Sequence, residues 1–154
     1  MSEAKDRELR ALQAALAAEH AAVYGYGVVG GRIVKERRTE ARTAYDAHRA
    51  RRDALVRAVE DAGGEPVAAA AGYALPFPVP DTAAAVRLAA ELEDRVAGVY
   101  ADLVRHSAGE RRRGAAEAMR EAAVRSVRWK GESVAFPGLA ERAGTASGTP
   151  APTA

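Results

Sequence analysis

Five polar side chains stand where a helical core should be driest. Glu19 and His20 interrupt the apolar series Leu9, Leu12, Leu16, Val23; His48 and Arg52 interrupt Ala41, Ala44, Leu55, Val59; Glu93 borders Leu88, Leu92, Val96, Val99, Leu103. Inward carboxylates and imidazoles from different helices are how bundle proteins build metal and cofactor sites. A buried charge is also costly unless it is paired and hydrogen-bonded, so the same residues can close into an ion-pair network. Arg52 lies one turn from His48 and would bridge Glu19 or Glu93, with a neutral His48 and with His20 in the same buried polar set. This network is the preferred reading, and it needs no cofactor. The alternative is a single iron or manganese ion held by Glu19, His48 and Glu93, since three ligands and an open position suffice chemically. Further options are His20 or Glu91 acting instead, or a small-molecule pocket lined by Tyr24, Tyr45, Tyr100 and Trp129, aromatics that more often serve packing.

Composition bounds the rest. A chain of 154 residues makes one domain with a core large enough to need no staples. The absence of cysteine excludes disulfide frameworks, thiolate metal sites, iron–sulfur clusters and cysteine nucleophiles. Residues 1–10 are charged and lack the apolar run of a secretory leader, and no stretch approaches the roughly 20 apolar residues of a membrane span. A cytoplasmic protein is expected. The net charge of +2 is too mild to demand a nucleic-acid partner. Arg49, Arg51, Arg52 and Arg57 form one cluster and Arg111, Arg112 and Arg113 another. Interleaved Asp46, Asp53, Glu60 and Asp61, with Glu110 and Glu117 around the second, make both read as solvated, salt-bridged helix faces and not as phosphate stripes. No phosphate loop, dinucleotide fingerprint, nucleophile elbow or zinc-protease motif is present.

These side chains must be positioned by helices, because the apolar period is helical nearly throughout. The spacing predicts a first helix from about Lys5 to Gly30 or a little beyond, with Gly30 and Gly31 as its C-terminal caps, and a second from Glu36 or Thr39 to Ala62, stopped by Gly63 and Gly64. Prolines forbid a helix over 65–80, and the aromatics there predict a segment lying against the bundle. Asp81 or Thr82 caps a third helix reaching His106. A fourth runs from about Glu110 to Ser133, burying Ala115, Met119, Ala122, Ala123, Ser126 and Trp129. Short connections make each hairpin antiparallel, and the long one lets the second hairpin cross the bundle. Glu19 then faces His48, and Glu93 faces Ala123, one turn from Ser126. Residues 1–140 form the domain, and 141–154, rich in Gly, Ser, Thr and Pro, are expected to be disordered.

The run Leu12-Gln-Ala-Ala-Leu-Ala-Ala-Glu-His-Ala-Ala-Val-Tyr-Gly-Tyr-Gly-Val-Val-Gly30, then Ala44-Tyr-Asp-Ala-His-Arg-Ala-Arg-Arg-Asp-Ala-Leu55, then Pro76-Phe-Pro-Val79 and Trp129 resemble the uncharacterised ferritin-like domain family of actinobacteria. The resemblance covers residues 8 to 140. It implies an all-α, ferritin-like, up-down-down-up four-helix bundle with a long crossover between helices 2 and 3, often dimeric and without an established activity. Ferritin-like dimetal sites take one Glu from each of two helices and Glu-x-x-His from each of the other two. Glu19 and Glu93 match, and His48 matches, but Tyr45 stands where the second helix needs Glu, and Ser126-Val-Arg-Trp129 offers neither Glu nor His. The expectation is a non-catalytic structural or binding protein with a degenerate metal site, the alternative being a metal-dependent oxidoreductase or iron-handling protein. Tyr24 and Tyr26, with Gly25 and Gly27 between and beside them, predict a homodimer surface; packing of these tyrosines on the chain's own Tyr73–Pro80 is the competing expectation.

Overall fold

Ser2 accepts a hydrogen bond from the Lys5 amide and opens a helix that does not end until Arg32. In the computed structural model, which describes residues 2–131, this is α1 (Glu3–Arg32), followed by a 3₁₀ turn (Lys35–Arg37), α2 (Arg38–Asp61), α3 (Thr82–His106) and α4 (Gly109–Lys130). No strand occurs among the described residues. Gly30 and Gly31 do not cap α1 as expected. Val29 and Ile33 are both buried, and the Ile33 amide donates to the Val29 carbonyl at 2.8 Å, so burial of the stripe carries the helix through the glycines. Gly63 does stop α2, at φ +81°, and Gly131 stops α4 at φ +76°, slightly earlier than the sequence suggested. Asp81 caps α3, its carboxylate accepting from the Ala84 amide at 2.9 Å.

α1 packs against both α2 and α3, and α3 against α4. Leucine, valine and alanine fill the interior in two clusters. One gathers Leu12, Leu16, Leu55, Val59, Val96, Leu103 and Ala122; the other gathers Val29, Ile33, Leu88, Leu92 and Trp129. Met119 and Val23, expected in the core, are only half-buried, whereas Ala118 is buried. α1 and α3 come especially close at Gly25, where an added Cβ would meet Leu92 Cδ1 at 2.5 Å. The glycine expected to admit another molecule thus admits a neighbouring helix of the same chain.

The segment between α2 and α3 lies along α1, as its aromatics predicted. Gln13 clamps it through both ends of its amide, donating to the Glu65 carbonyl at 2.5 Å and accepting from the Val67 amide at 2.9 Å. Tyr24 packs on Tyr73 with ring centroids 5.6 Å apart, and Leu75, Phe77 and Val79 rest on the second apolar cluster. No helix among the described residues is long and apolar enough to cross a membrane. The tail expected at 141–154 lies outside the described residues.

Candidate functional site: a buried polar relay

Glu19, His48 and Glu93 come together, each with no solvent exposure, at the boundary between the two apolar clusters. His48 lies between the carboxylates. Its Nδ1 is 2.5 Å from Glu19 Oε2 and its Nε2 is 2.9 Å from Glu93 Oε1. Carboxylate oxygens accept, so both bonds are satisfied together only when both ring nitrogens carry protons. Burial alone would lower the imidazole pKa, but the hydrogen bonds to Glu19 and Glu93, and their charges, outweigh it and push the value up to about 9. The sequence reading of a neutral His48 is therefore corrected: two facing acceptors hold an imidazolium.

Two tyrosines complete the shell in a crossed pattern. Tyr26 stands seven residues after Glu19 on α1, and Tyr100 seven after Glu93 on α3. Seven residues return a side chain to nearly the same face, and the two helices run in opposite directions. Each tyrosine therefore reaches the other helix's carboxylate: Tyr26 donates to Glu93 Oε1 at 2.6 Å and Tyr100 to Glu19 Oε1 at 2.7 Å. Burial, then the adjacent carboxylate, raises the pKa of both phenols, which stay protonated donors. Trp129 Nε1 donates to the Tyr26 hydroxyl at 2.9 Å, and the Tyr26 ring stacks on His48 at 5.3 Å.

The second cation comes from an unexpected helix. Arg125 of α4, largely buried, donates from Nε to Glu93 Oε1 at 3.0 Å. Two carboxylates thus face an imidazolium and a guanidinium, which balances the charge that makes burial costly. One atom is left over: Glu93 Oε2 is buried without a hydrogen-bond partner, while Oε1 accepts three bonds.

Arg52, expected in this position, is not in the network. Its long side chain carries the guanidinium to its exposed neighbour Asp53, which it bonds at 2.9 Å. His20 is also outside it. It turns to the crossover and donates from Nε2 to the Val67 carbonyl at 3.0 Å. Glu91 sits 4.0 Å from Arg95 on the surface. Ser126, buried as expected, donates to Asp94 at 2.6 Å, and Arg125, not Ala123, is the α4 residue bonded to Glu93. Tyr24, Tyr45, Tyr100 and Trp129 do not share a pocket: Tyr24 is on the crossover, Tyr45 lies beneath Arg49, and Tyr100 and Trp129 belong to the relay. Tyr26, expected on a dimer surface, is fully buried inside the chain. Sequence reasoning missed Arg125 and Tyr26 as site residues and gave Tyr100 only to an aromatic pocket, although the two Glu-x6-Tyr spacings were there to be read.

Among the described residues, no three His, Asp or Glu side chains are grouped so as to hold a metal ion. The chemistry of the donors gives the reason here: an imidazole donating from both nitrogens has no lone pair free for a metal.

The sequence profile of a family described as a domain of unknown function, DUF4439, matches residues 11–141. A crystal structure of a conserved hypothetical protein, rv2844, from Mycobacterium tuberculosis is similar, with a TM-score of 0.82 and 34% identity over 88% of this chain and 100% of that one. No curated protein matches.

Proposed function

The chain belongs to the DUF4439 family, and we propose that it is a non-catalytic structural or binding protein of ferritin-like, up-down-down-up design in which a protonated histidine stands in for metal. The up-down-down-up reading is supported by the bonds and packing between helices. Tyr26 and Tyr100 cross between α1 and α3, so α3 runs opposite to α1; Leu12 and Leu16 cluster with Leu55 and Val59, and Val29 and Ile33 with Ala41 and Ala44, so α2 does too. Leu103 shares one apolar cluster with Ala115 and Leu88 shares the other with Trp129, so α4 runs opposite to α3. The family's likeness to actinobacterial ferritin-like domains is part of the same proposal. So is a cytoplasmic location.

The observation that carries the functional reading is the double engagement of His48, at 2.5 and 2.9 Å, between the carboxylates that would otherwise attract a cation. Tyr45 and Ser126, at the positions where a dimetal site needs carboxylates, supply none. Elemental analysis after incubation with iron(II) or manganese(II) and desalting tests this. Metal well below one ion per chain is expected, whereas two ions per chain with ferroxidase activity would overturn it.

A second reading, one iron or manganese ion, has one observation in its favour: the unpartnered Glu93 Oε2. Glu93 and Glu19 would hold the ion, and His48 would join only by losing a proton and one of its carboxylate bonds. Such an ion would supply redox or Lewis-acid chemistry. One ion per chain, lost in His48→Gln, would support it. The homodimer is kept only as a proposal on surfaces other than Tyr26 and Gly25, which the chain uses internally; sedimentation at micromolar concentration tests it.

A further inference from the structure

Arg38, Arg42, Tyr45 and Arg49 recur along α2 at helical spacing, which places them on one face. That face borders a groove of about 740 Å³ between α2 and α1. The opposite wall is formed in part by Gly27 and Gly30, at each of which a Cβ would find nothing within 4 Å. Side chains at these positions would occupy the groove, and their absence leaves it open. None of the lining residues is acidic. Arg42 has Asp46 at 3.6 Å, a long and exposed pairing, while Arg38 and Arg49 have no carboxylate within salt-bridge distance among the described residues. Arg49 instead lies 5.7 Å from the centre of the Tyr45 ring.

The mixed charge seen in the linear sequence is thus sorted by the fold. Arg51 turns to Glu121 on α4 and Arg52 to Asp53, so two arginines and one of the interleaved acids are engaged away from the groove, while Asp46 stays beside Arg42. Among the described residues the groove is lined by three arginines against the one neighbouring carboxylate of Asp46, a net positive wall beside an aromatic ring in a groove of the size that takes small ligands. Guanidinium groups match phosphate oxygens in pairs, and Thr39 and Thr43 add hydroxyls on the same wall.

We propose that this groove binds a phosphate-bearing small molecule, its phosphate held by Arg38, Arg42 and Arg49 and its organic part against Tyr45. Tyr26 of the relay also lines the groove, but none of the proposed phosphate donors belongs to the relay, so the proposal stands whether or not the metal-free reading holds.

Calorimetric titration of the full chain with inorganic pyrophosphate, at low ionic strength, tests the anion site. Saturable binding is expected, weakened about tenfold or more in Arg38→Gln/Arg49→Gln and unchanged in Arg113→Gln, a distant exposed arginine. Gly30→Leu gives an independent arm. It fills the groove from the α1 side with a better helix former, so it should abolish binding while leaving the thermal midpoint equal or higher. Sedimentation with phosphatidylglycerol vesicles distinguishes a lipid headgroup from a free phosphate: cosedimentation abolished by Gly30→Leu assigns the phosphate to a lipid, and none assigns it to a soluble ligand. Absence of saturable pyrophosphate binding, or binding of equal strength in all three variants, would overturn the proposal.

Discussion

His48 sets the pH response of the whole core. Its pKa rises from 6.5 to about 9 on folding, against the pull of burial, because two carboxylates accept from it. A group whose folded value is raised contributes stability fully below the unfolded value and loses it as pH climbs through the folded one. Denaturation midpoints should therefore fall as pH is raised from 6.5 past 9, by an amount on the order of 3 kcal/mol if the shift is fully expressed. The slope in that window should vanish in His48→Gln. Arg125→Ala should cost about 3 kcal/mol or more, since it strands a buried carboxylate, while Arg52→Ala should cost under about 1 kcal/mol because its partner is an exposed neighbour. Equal losses from the two arginine variants in urea titrations would contradict the assignment of Arg125 as the buried cation. Tyr26→Phe and Tyr100→Phe each remove one donor to a charged acceptor, and each should cost about 2 kcal/mol.

Between elements, the register of α1 against α3 follows from reciprocal bonds and one close approach. Gly25→Ala would push a methyl into Leu92, and the neighbour can yield only by leaving its packed position, so a loss of about 1 to 3 kcal/mol is expected. The double variant Gly25→Ala/Leu92→Val should recover part of it in the same melts; no recovery would place the strain elsewhere. Much at this scale was legible in the sequence. The apolar stripes located all four helices, the Asp81 cap and Gly63 stop fell where expected, and Glu19, His48 and Glu93 were recognised as inward polar residues. Arg125 was not, because a search for ligands passes over a guanidinium, even one beside the buried Ser126. Arg52 misled for a physical reason: position on a helical stripe fixes where a stem begins, not where a long charged head ends. The placement of Gly30 and Gly31 inside α1 could not be read locally, since it depends on the burial of Ile33.

For the molecule as a whole, two apolar clusters meet at a polar layer whose charges cancel among residues of all four helices. Such a layer adds little net stability over an apolar one, yet it penalises any arrangement that separates its members. Crossed tyrosines, the central imidazolium and Arg125 fix the helices in depth relative to one another, which is what the proposed structural role asks of them. Elsewhere the ion pair Arg51–Glu121, at 3.0 Å, links α2 to α4. The central claim is that the protein supplies its own cation between Glu19 and Glu93. Nitrogen-15 NMR of the His48 ring in metal-free protein at neutral pH tests it most directly. Both ring nitrogens should carry protons, with titration near 9; a neutral ring with one unprotonated nitrogen would contradict the account.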